Sequence, residues 1–136
     1  MKNIYLILIM AFFAVALFDG LGSIASRTLN FHYSYLGIVS FAIYVMVAYF
    51  IARYASKKTT IMLLALLGLF DATVGWYISV ILRANVGGFI ISEEPLILIL
   101  TIVTVMIYSS FLGLLGWWLA KKFGKKVGVE KPKTNE

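Results

Sequence analysis

The chain of 136 residues is 62% hydrophobic and only 13% charged, about half the charged share of a soluble domain, and it carries a net charge of +6. It has no cysteine, which excludes disulfides, thiolate catalysis and soft-metal sites, and its one histidine, His32, makes neither a metal cluster nor a paired haem ligand. No cofactor is expected, and the class is an all-α integral membrane protein.

Four apolar stretches each reach the about 20 residues that cross a ~30 Å hydrocarbon core. They cover residues 4–26, 33–52, 61–82 and 96–120. Residues 1–120 therefore read as one four-helix transmembrane domain, and residues 121–136 as a basic, disordered tail. In the first stretch Ala14-Val15-Ala16 resembles a signal-peptide cleavage site. The apolar run continues past it and only Lys2 precedes it, so a retained helix is expected. A tight turn over 27–32 leads to the second stretch. The loop after it carries Arg53, Lys57 and Lys58. After the third stretch, residues 85–91 form a longer, partly apolar connection, expected as an embedded hairpin or a fold over the outer mouth. Ser92-Glu93-Glu94-Pro95 combines a capping hydroxyl, acidic residues and a first-turn proline, and so marks the start of the fourth helix.

Basic residues near helix ends collect on the cytoplasmic side. Lys2, Arg53, Lys57, Lys58 and the tail lysines Lys121, Lys122, Lys125, Lys126, Lys131 and Lys133 fall on one side, against Arg27 and Arg83 on the other. Both termini are thus expected in the cytoplasm, with the protein in the plasma (inner) membrane. The basic face suits anionic lipid at about 1 kcal/mol per residue, and nucleic acid is not needed to explain it.

Two motifs recur at matching places. Leu17-Phe18-Asp19 returns as Leu69-Phe70-Asp71, and the run 38–44 ending in Tyr44 returns as 102–108 ending in Tyr108. This reads as two parallel two-helix repeats, about 1–58 and 59–126, with pseudo-twofold symmetry about the membrane normal. Each repeat places one aspartate where an isolated charge costs roughly 3 kcal/mol.

Helical spacing then groups the polar residues. Asp19 and Ser23 share a stripe, as do Asp71, Gly75 and Ser79; Ser40 and Tyr44 on the second helix and Thr104 and Tyr108 on the fourth offer hydroxyls to the carboxylates. These nine residues are the expected polar core or pathway, with Tyr44 and Tyr108 as the aspartates' partners and Arg27 and Arg83 at the outer mouth. On the fourth helix Ser109, Gly113, Gly116 and Ala120 form a small-residue face about 120° away, expected to join a homo-oligomer. A channel or carrier subunit for a proton, cation or small solute is the expected function, and an enzyme is not. The alternatives are a non-catalytic interaction or accessory protein and an intramembrane aspartyl protease-like enzyme.

Overall fold

The computed structural model of the chain describes residues 2–87 and 95–124. Helix α1 (Lys2–Thr28) is 27 residues long, about 40 Å at 1.5 Å per residue. It ends where Asn30 takes a left-handed conformation (φ 54°) and Phe31 N–H donates back to Ser26 O at 3.1 Å, closing the last turn. A 3₁₀ turn (Tyr33–Leu36) follows, its start fixed by His32 Nδ1 accepting from Ser34 N–H at 3.3 Å, and it runs into α2 (Gly37–Ala52). Ser56 caps α3 (Lys57–Phe70) by accepting from Thr59 N–H at 3.2 Å. A single π turn (Asp71–Gly75) joins α3 to α4 (Trp76–Ile81). Arg83 (φ 53°) closes α4 as Asn30 closes α1, with Ala84 N–H donating to Ser79 O at 3.0 Å. Helix α5 spans Pro95–Phe123.

Four helical segments are long and apolar enough to cross a membrane: Asn3–Thr28, Tyr33–Ala52, Lys57–Ile81 (α3 through α4) and Pro95–Phe123. Large apolar side chains such as Phe13 and Phe111 point outward, 70% and 66% exposed, as a lipid-facing surface requires. These features define a multi-pass integral membrane protein. The segment beyond Gly87, including the expected helix start at Ser92-Glu93-Glu94, and the tail beyond Gly124 lie outside the described residues.

The helices pack unevenly. Helix α5 lies along α3 and α2, whereas α1 sits on the other side of the molecule against α2, α3, the π turn and α4, and never approaches α5. Between them Ala48, Ile51, Leu64 and Leu67 are fully buried. Small residues set the α5 contact: Gly113 lets Leu64 Cβ come to 3.0 Å of where its own Cβ would lie, and Gly116 does the same for Val45 O at 2.7 Å and Tyr49 N at 3.0 Å. The face made of Ser109, Gly113, Gly116 and Ala120 is therefore buried within the chain and is not free for a second copy. That corrects the sequence expectation. Periodicity finds a face of small residues but not its partner, and the fourth helix is turned so that this face is inward and Thr104 and Tyr108 are outward.

At the basic end, Lys57 from the start of α3 and Lys121 from the end of α5 both stack on Trp117, 5.3 and 4.7 Å from its ring centre. The first turn of α3 and the last of α5 are thus at one level.

Candidate functional site

Asp71 opens the π turn, and the turn explains how its carboxyl is set. One extra residue enters the helical repeat, so Trp76 N–H reaches back to Asp71 O, and carbonyls just before the bulge need another donor. Thr73 supplies it, its Oγ1 donating to Leu69 O at 2.7 Å and Phe70 O at 3.2 Å. The turn ends on Gly75, whose bare Cα faces the Asp19 carboxyl of α1. A Cβ there would lie 2.7 Å from Asp71 Oδ1 and would collide with Asp19 Oδ2. Only glycine leaves room for both carboxyls.

Each carboxyl has one oxygen held by a tyrosine. Tyr33 OH donates to Asp19 Oδ1 at 2.9 Å and accepts from Ser79 Oγ at 3.1 Å; Tyr44 OH donates to Asp71 Oδ2 at 2.7 Å. The remaining oxygens converge over Gly75, and the two carboxyls are within hydrogen-bonding reach of each other. Asp19 is 6% exposed, and its Oδ2 is buried with no donor from the protein. An ionised carboxylate only accepts, so the two can bond directly to each other only when one of them carries a proton.

A cavity of about 320 Å³ opens beside the pair. Asp19, Tyr33, Ser40, Asp71, Gly75, Trp76, Ser79 and Thr101 line it, and Arg83 stands on its wall toward the helix ends opposite the basic end. On the opposite side of the carboxyls, among Val15, Phe18, Ile43 and Tyr44, the remaining void is too small for a water molecule. The space is therefore a pocket that ends at the aspartates, with Arg83 the one cationic group on its described walls.

At that end of the bundle the helix connections are tied together by Asn85. Its N–H donates to Ser26 Oγ at 3.1 Å, its carbonyl accepts from Tyr33 N–H at 2.8 Å, and its amide donates to Asn30 Oδ1 at 3.2 Å. The same residue thereby fixes the backbone that carries Tyr33 to Asp19.

Of the nine residues expected in a polar core, Asp19, Ser40, Asp71, Gly75 and Ser79 line the pocket, and Tyr44 stands directly behind it on Asp71. Ser23 is buried, but its hydroxyl is used on Asp19 O at 2.6 Å, within its own helix. Thr104 and Tyr108 lie elsewhere: Thr104 is exposed and donates to Leu100 O, and Tyr108 packs edge-on to Phe41 at 4.7 Å. Of the two tyrosines expected to partner the aspartates, Tyr44 bonds Asp71, whereas Tyr108 bonds neither and Asp19 is held by Tyr33. Arg27 is exposed and takes no part in the pocket wall.

Sequence reasoning missed Tyr33, because a 3₁₀ turn rather than a helical register aims it. It also missed the π turn, whose trace in the sequence is the threonine-glycine spacing of Thr73 and Gly75 just after an intramembrane aspartate. The chain matches no protein-family model, and no curated protein or solved structure is significantly similar to it.

Proposed function

We propose that the chain is a small membrane carrier for a proton, cation or small solute, with the Asp19 and Asp71 pair as the binding point at the closed end of an outward-facing pocket. The observation that carries this reading is the facing carboxyls themselves. Two acidic groups meet in a helix bundle, and no described basic side chain touches them. A purely structural pair would be expected to fill its hydrogen bonds, because unsatisfied polar groups are costly in a bilayer. Among the described residues no N–H or hydroxyl donates to Asp19 Oδ2, which meets only the carboxyl of Asp71. The π turn supports the same reading, since such bulges concentrate at functional sites. A pocket closed on one side suits alternating access better than an open pore.

In this reading both termini face the cytoplasm of a plasma (inner) membrane, because the basic residues gather at that end. A cysteine placed at Leu29 should then react with an impermeant thiol reagent on intact cells and one at Ser56 should not; the reverse pattern would invert the protein. The recurring Leu-Phe-Asp motif supports descent from a duplicated two-helix unit whose copies have diverged, each aspartate now relying on a different tyrosine. One further observation favours a second reading: carboxyls in hydrogen-bonding reach are the arrangement with which acid dyads activate water. Cleavage of a transmembrane peptide by the purified protein, lost in Asp71→Asn, would move the assignment to hydrolysis.

The deciding experiment reconstitutes the protein in liposomes and imposes gradients of protons, potassium or an organic ammonium ion. Flux is expected for at least one, and is expected to vanish in Asp19→Asn and in Asp71→Asn while both variants keep the wild-type unfolding temperature. Flux that survives both substitutions, or no flux under any gradient, would favour a non-catalytic interaction protein instead.

A further inference from the structure

We propose that the pocket selects a short, extended zwitterion, its ammonium group held between Asp19 and Asp71 and its anionic group met by Arg83. The proposal rests on the carrier reading and names the class of solute.

The inner end of the pocket matches an ammonium. Tyr33 and Tyr44 already occupy Asp19 Oδ1 and Asp71 Oδ2, which leaves Asp19 Oδ2 and Asp71 Oδ1 over the bare Cα of Gly75. An ammonium offers three donors from a compact centre and can serve both oxygens at once. Asp19 Oδ2 is buried over Gly75 and accepts from no described N–H or hydroxyl.

The outer end matches an anion. Arg83 lies on the same pocket wall, and its planar guanidinium presents paired donors suited to a carboxylate. Among the described residues no carboxylate pairs with it. Its backbone is also unusual. Arg83 holds φ 53° at the position just past a helix where glycine is the ordinary choice, and a side chain there costs on the order of 1 kcal/mol. The chain thus keeps an arginine where local stability favours its removal.

Geometry selects the length of the solute. From Gly75 to Ile81, the last residue of α4, is about 9 Å along the axis, and Arg83 lies just beyond that helix end. The arginine stem covers part of that distance, so the two charges of the solute must be separated by several bonds. Val80 lies between Gly75 and Arg83 in the chain, and Leu36 and Val105 also line the pocket, so its walls offer apolar surface to a methylene spacer. The volume of about 320 Å³ equals roughly ten waters at ~30 Å³ each, enough for a chain of that size.

The test uses Trp76 as a reporter on the wall of the pocket. In a Trp117→Phe, Trp118→Phe background it is the only tryptophan. The full-length protein in detergent is titrated with 5-aminopentanoate, pentylamine and pentanoate. The zwitterion should bind at least about tenfold tighter than either single-charge analogue, in keeping with the worth of one added charge-assisted bond. Arg83→Gln should lower the affinity for 5-aminopentanoate to that for pentylamine while leaving pentylamine unchanged, Arg83→Lys should restore part of the difference, and Asp71→Asn should lose both amines. Equal affinity of the wild type for pentylamine and 5-aminopentanoate would overturn the zwitterion and leave a carrier of simple cations. Cation or proton flux in liposomes with no binding of any of the three compounds would also overturn it while sparing the carrier reading. Absence of both binding and flux would sink the two together.

Discussion

The half of this bundle at the basic end, inner in the proposed orientation, and the outer half that holds the pocket are built on opposite rules. In the inner half, helices α2, α3 and α5 meet through Ala48, Ile51, Leu64, Gly113 and Gly116, and the buried hydroxyls of Thr60 and Ser109 are used on their own helix carbonyls at 2.9 and 3.0 Å. No hydrogen bond between side chains of different helices is needed there. In the outer half the helices separate around a pocket, one helix carries a π turn, and interhelical bonds run from tyrosine to carboxylate and from Asn85 to three partners. Lipid is as apolar as leucine, so close backbone packing rather than the hydrophobic effect must hold such helices together. The inner half supplies that packing, and the outer half is thereby free to keep an open polar space.

The largest effect expected from breaking this division is at Gly116. A leucine there would drive its Cβ into Ala48, and its neighbours Val45 O and Tyr49 N are backbone atoms that cannot swing aside. Overpacking ordinarily costs about 1–3 kcal/mol, and collision with backbone places Gly116→Leu at or above the top of that range. Thermal unfolding in detergent should show a lost or strongly lowered transition. An unchanged transition would mean that α5 is not seated on α2 as described.

Gly75 offers the matched substitution in the outer half. In Gly75→Ala the added methyl meets only carboxyl oxygens at the ends of rotatable side chains, and alanine gains up to about 1 kcal/mol in helix propensity, so the fold should survive nearly unchanged. The carboxyls must move apart, however, and flux in liposomes should fall at least about tenfold, the equivalent of one lost charge-assisted hydrogen bond in the transition. If Gly75→Ala is instead as unstable as Gly116→Leu, the outer half is also held by packing and the contrast fails.

The sequence carried the four spans, the two buried carboxylates and the need for small residues beside them, because each depends on hydropathy or on spacing along one helix. Asp71, Gly75 and Ser79 share a wall as their spacing required. What the sequence did not carry is rotation and partnership between helices. Gly113 and Gly116 face inward because α5 is turned toward α2 and α3, and no intrahelical period records that turn. Asp19 and Asp71 sit at unequal distances from the arginines that end their helices, yet they meet, since depth counted along a helix ignores tilt and the different heights of the helix ends. Tyr33 replaces Tyr108 because a short 3₁₀ turn, anchored by Asn85 more than fifty residues away, sets its direction.

The smallest effect sharpens the comparison at the outer helix ends themselves. Asn30 and Arg83 take the same left-handed conformation, at φ 54° and 53°, one closing α1 away from the pocket and the other closing α4 on its wall. Asparagine tolerates this region and arginine does not, so a glycine should change little at Asn30 and relieve about 1–2 kcal/mol of backbone strain at Arg83. Against that gain stands the greater freedom of glycine in the unfolded chain, about 0.4–1 kcal/mol. Arg83→Gly should therefore be more stable than wild type by roughly 0.5–1 kcal/mol in a denaturant titration, while Asn30→Gly should be neutral or slightly less stable because it also loses the bond from Asn85. The sign of the first result is what matters. A stabilised Arg83→Gly means that the fold tolerates strain at the pocket to keep a guanidinium there, the pattern expected where local backbone energy is exchanged for a functional group. A destabilised one means that the arginine is held by contacts that stabilise the resting protein, and its part in binding a solute would have to be abandoned.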